Sequence, residues 1–70
     1  MAAIRFDIYD PNGVLQVDDA MISAPDGADP RDVAADLIAA PDNAGWRIVL
    51  WSDVNLVGDR GKPDVDMVAP

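Results

Sequence analysis

The stretch Trp46 to Ser52, WRIVLWS, is the tightest constraint in the chain. Five of its seven residues are apolar, and they fall on both alternating faces. As a strand it therefore asks for cover on two sides. Trp46, Ile48 and Leu50 share one side; Arg47, Val49 and Trp51 share the other. The chain has only 70 residues with which to supply that cover. This is one domain at most, with a modest core. It has no cysteine, so neither disulfides nor thiolate metal sites can supplement the core.

The rest of the chain must supply that cover. Residues 3–9, AIRFDIY, alternate: Ile4, Phe6 and Ile8 lie on one face, and Arg5, Asp7 and Tyr9 on the other. DPNG follows at 10–13, with Pro11, Asn12 and Gly13 in the order a tight turn uses. This predicts a hairpin with a second strand over about 14–18, with continuation through DDAMIS left open. Pairing Tyr9 with Val14 sets Ile8 opposite Leu15 and Phe6 opposite Val17. It also sets Asp7 opposite Gln16 and Arg5 opposite Asp18. The adjacent Asp18 and Asp19 then break the alternation and mark a bulge or the strand's end before AMIS.

APDGADP, at 24–30, is a loop by composition. Asp29 is placed as an N-cap, Pro30 as the first helical residue and Asp32 within an acidic first turn. The helix is expected over 30–40, with Val33, Ala34, Leu37 and Ile38 as its apolar stripe and Pro41 as its stop.

These elements give an α+β class: a small β-β-α-β domain with a three-stranded antiparallel sheet of order 2-1-3. One helix covers one face. Residues 1–52 form this core, and 53–70 form an irregular C-terminal segment with a short edge strand as an option at 65–68. Trp46 is assigned to the helix side. Tyr9, Val49 and Trp51 are left on the second face, among Arg5 and Arg47. Trp and Tyr bury about 150–250 Å² each when covered. At about 25 cal/mol per Å² that is several kcal/mol per ring. Three covers are open: the C-terminal segment through Leu56, Val57, Val65, Met67 or Val68; a second copy; or another protein.

The chemistry available to the chain is narrow. There is no histidine, cysteine or threonine; there are two serines, Ser23 and Ser52, and one lysine, Lys62. A nucleophile with a base and an orienting partner cannot be assembled from that set, so no catalytic residue and no cofactor are expected. DVNLVGDRGKPD, 53–64, places Asp53, Asn55, Gly58 and Asp64 at intervals that echo a calcium loop. Val57 at a ligand position, Pro63 before the last acid, and Asp64 in place of glutamate argue against it, and no metal is expected.

The net charge is −8, and all 13 acids are aspartate. Such a charge repels phosphate, which excludes direct binding to nucleic acid or an anionic membrane and favours a basic partner. The start, MAAIRFDIYD, lacks the basic and apolar regions of a signal peptide. No apolar run approaches the roughly 20 residues of a membrane span. Little lysine beside much Ala, Asp, Gly, Val, Pro and Arg is the composition of high-GC genomes such as those of actinobacteria and their phages. The expectation is a non-enzymatic interaction or structural subunit, cytoplasmic or virion-associated. It would dock on a larger assembly or on its own copy through Trp51, Val49, Tyr9, Arg47 and Arg5. The alternative is an acidic mimic of nucleic acid that inhibits a DNA- or RNA-binding protein.

Overall fold

The computed structural model describes residues 2–52 and 61–70. The elements are β1 (Ala2–Tyr9), β2 (Leu15–Ala24), α1 (Pro30–Leu37), a short 3-10 turn (Pro41–Asn43), β3 (Arg47–Ser52) and β4 (Val65–Val68). They form a small α+β domain: one antiparallel sheet of order β2-β1-β3-β4 with the helix on one face. Among the described residues the sheet has four strands where three were expected. The fourth is the short strand envisaged at 65–68, which joins β3 at the sheet's edge.

The turn between β1 and β2 is built by Asp10. Its Oδ1 accepts the N–H groups of Asn12 and Val14, each at 2.9 Å, and its Oδ2 accepts from Gln16 at 3.0 Å. Gly13 supplies the left-handed backbone the turn needs, with φ 83°. The Val14 N–H, foremost, holds the Asp10 carboxyl below its ordinary value.

The hairpin register differs from the expected one. Tyr9 pairs with Leu15, Ile8 with Val17, and Phe6 with Ala20. The turn itself sets Tyr9 opposite Leu15, and two irregularities, one between Ile8 and Tyr9 and one between Phe6 and Ile8, each add one further residue on β2. At the second, Asp18 and Asp19 together oppose Asp7, which is a β-bulge at the site where the alternation breaks. Asp7 holds it: its Oδ1 accepts the Asp19 N–H at 2.7 Å while Asp19 takes φ 57°. Aspartate tolerates that conformation better than most residues. Beyond the bulge the strand resumes, and Ala20–Ala24 pairs regularly with Ala2–Phe6.

Asp29 caps α1, accepting the Arg31 N–H at 2.9 Å, with Pro30 in the first turn. The helix ends at Leu37, three residues short of the expected 40. Ile38 leaves helical geometry at φ −115°, ψ 14°, and Ala40 is extended before Pro41. The steric demand of a proline on the preceding residue accounts for that extension.

The core lies between α1 and the sheet. It gathers Ile4, Phe6, Ala24, Ala34, Ile38, Ile48, Leu50, Val65 and Ala69, with Val33, Leu37 and Met67 packed on it. Ile48 and Leu50 are fully buried. Trp46 is not part of this cluster. It precedes β3, follows Gly45 at φ 86°, and is half-buried. Strand alternation begins only at Arg47, so it does not carry Trp46 under the helix. Val65 and Met67 also pack on the helix side, so β4 widens the core and does not lie over the second face.

Candidate interaction face

The register of β1, β3 and β4 sets the second face. Arg5 pairs with Trp51, Asp7 with Val49, and Tyr9 with Arg47; Asp66 lies beside Val49 and Val68 beside Arg47. Alternation carries these side chains to the side of the sheet away from α1. All five residues expected to bind a partner, Tyr9, Trp51, Val49, Arg47 and Arg5, therefore share one surface. Leu56 and Val57, two of the residues considered as cover for it, and the calcium-like stretch up to Arg60, lie outside the described residues.

A polar line crosses the face. Arg47 donates to Asp66 twice, from Nε and from Nη2, each at 2.7 Å. Its guanidinium carbon stands 5.3 Å from the centre of the Tyr9 ring, within cation–π range. The fork geometry joins β3 to β4, while the ring joins the pair to β1. Hydrogen bonds from Arg47, and then its charge, hold the Asp66 carboxyl below its ordinary 3.8; the same pairing raises Arg47.

Asp66 is lowered in the fold, so its contribution is complete above 3.8 and is lost as pH falls through its folded value. Both side chains are 46% exposed, so solvent screening limits the contribution to under about 1 kcal/mol. Urea unfolding at pH 6 and pH 2 is expected to show a slightly smaller acid loss for Asp66→Asn than for the parent chain. An equal loss in both contradicts the assignment.

The remaining expected residues differ in what they offer. Val49 is 6% exposed, so it supports the face from within and presents no anchor surface. Arg5 places its Nε 2.9 Å from Asp19 Oδ1, an ion pair whose angle is not that of a hydrogen bond. Trp51 is half-buried and its indole N–H points to the Gly61 carbonyl at 3.4 Å. The chain segment entering β4 thus runs beside Trp51. Asp64 fixes that entry, accepting from both the N–H and the hydroxyl of Ser52.

The exposed apolar surface comes from residues the sequence did not single out. Val14, Leu15, Met21 and Val68 are 54, 42, 45 and 57% exposed, and the last three lie on the second face. Leu15 and Met21 line its β2 edge and Val68 its β4 edge. Met21 was detectable in principle, because a one-residue bulge at Asp18–Asp19 returns it to the face of Arg5, with which it pairs. Leu15 was assigned to the core by the unshifted register.

On the other side of the domain, a shallow cleft between α1 and β4 is lined by Ala35, Ile38, Ala39, Met67, Ala69 and Pro70. It brings no charged or hydrogen-bonding side chains together. Among the described residues, no cluster of three aspartates could hold a metal ion. Nor, among those residues, is any helix long and apolar enough to cross a membrane. No protein-family model matches the chain, and no curated protein or solved structure is significantly similar to it.

Proposed function

We propose that this protein is a non-enzymatic interaction module that binds a basic protein partner through the sheet face opposite α1. One observation carries the proposal: Leu15, Met21 and Val68, exposed and apolar, surround Tyr9, Arg47 and Trp51 on that single face. Aromatic residues and arginine are the side chains that most often dominate binding energy at interfaces. The −8 charge adds attraction for a basic surface and speeds encounter with it. The lack of histidine, cysteine and threonine agrees with a role in binding.

The test is capture of a partner by the full chain and its variants. Leu15→Asp with Met21→Asp, and separately Trp51→Ala, are expected to weaken capture about tenfold or more. Asp32→Asn with Asp36→Asn and Asp42→Asn is expected to change it far less. A specific observation favours the second reading, a nucleic-acid mimic: Asp29, Asp32 and Asp36 are exposed along α1. Under that reading the two variant sets exchange effects, and binding falls steeply as salt rises.

A further inference from the structure

The β2 strand has β1 on one side and, among the described residues, no strand on the other. Every second residue of such a strand directs its N–H and C=O away from the sheet. Its two halves are built differently. Both register irregularities and both strand acids, Asp18 and Asp19, fall before Ala20. From Ala20 to Ala24 the pairing is regular over five residues, and AMISA contains no charge, proline or glycine. Edge strands are ordinarily blunted by charges, prolines or bulges along their length. Here those devices stop at the end of the segment and leave its edge open.

We infer that Ala20–Ala24 accepts an extended segment of the partner protein as a fifth strand, and that this segment carries Lys or Arg at each end. The inference rests on the interaction-module proposal and specifies the mode of binding and the partner's chemistry. Backbone pairing supplies the affinity in such strand addition, and side chains at alternate positions supply the selectivity. The charge pattern selects the occupant. Exposed acids flank the open edge, Asp18 before it and Asp26 after it, while Asp19 is paired with Arg5. A second copy fits poorly. A two-fold antiparallel pairing centred on Ile22 sets Asp18 opposite Asp26 and joins two chains of −8. A basic segment meets both acidic ends. Its side chains would also extend the apolar surface begun by Met21, which is 45% exposed beside this edge.

The probe is the heptapeptide Lys-Val-Thr-Val-Thr-Val-Lys, titrated into the isotope-labelled full chain. Saturable amide shifts at Ala20–Ala24 are expected, with hydrogen exchange of the outward amides slowed about tenfold. Glutamate in place of both lysines, or methylation of alternate peptide nitrogens, should each weaken binding by about tenfold. Four outcomes overturn the inference. They are no binding at about 1 mM peptide, indifference to the end charges, shifts confined to other residues, and protection of Ala20–Ala24 in a peptide-free dimer. Should any of these occur while partner capture still depends on Leu15 and Met21, the edge inference fails and the module proposal stands. Should capture ignore Leu15, Met21 and Trp51 while the peptide binds this edge, the module's face fails instead.

Discussion

Leu50→Ala is expected to abolish the cooperative fold. Leu50 is fully buried, pairs with Phe6 on one side and Val65 on the other, and faces α1. Truncating such a side chain costs about 2–5 kcal/mol, the transfer of its methyls plus the cavity left behind. A domain this size without disulfide or metal rarely holds more than about 3–5 kcal/mol in total. Circular dichroism should show the sigmoidal thermal transition lost or shifted far down. Leu15→Ala makes the same chemical change at a site 42% exposed, and should stay within about 0.5 kcal/mol of the parent. Equal effects at the two leucines contradict the assigned faces.

Ending the chain at Pro63 is expected to be as damaging. It removes Val65 and Ala69, which are buried, and Met67, which packs beside them. Burying a valine or methionine is worth about 1.5–3 kcal/mol each, so the two together approach the whole stability of the domain. Besides the β3–β4 ladder, the truncation unties three backbone hydrogen bonds: Asp64 N–H to Leu50 O at 2.9 Å, Gly45 N–H to Ala69 O at 3.0 Å and Ala69 N–H to Trp46 O at 2.8 Å. It takes Asp66 from Arg47 as well. The shortened chain should lose its dispersed amide spectrum. A truncated chain that melts within a few degrees of the parent means that the C-terminal residues are an appendage and not part of the core.

What the sequence disclosed follows from where local rules govern. The alternation of Ile4, Phe6 and Ile8, the Asp29–Pro30 helix start and the Val33, Ala34, Leu37, Ile38 stripe are local signals, and each appears in the fold. The order of the first three strands followed from placing the two-sided strand β3 beside β1. Three features depended on contacts distant in sequence. The register across β1 and β2 turns on the Asp7 carboxylate holding the Asp19 amide, twelve residues away. The place of β4 depends on Val65 finding Leu50, because VDMV alone is too short to declare itself. Trp46 was misassigned because alternation was extended one residue beyond the strand. The face itself was legible: five residues chosen by period two all lie on it. Its exposed apolar margin was less so, because Leu15 reaches it through a pairing with Tyr9 that the turn sets one residue away from the expected one.

The most direct measurement is shift mapping on the labelled chain bound to its captured partner. Binding through the sheet face predicts changes concentrated at Tyr9, Leu15, Met21, Arg47 and Val68, with Asp32 and Asp36 on α1 unmoved. Changes along Asp29, Asp32 and Asp36, with Leu15 and Met21 still, would contradict it and assign the contact to the acidic outer side of the helix.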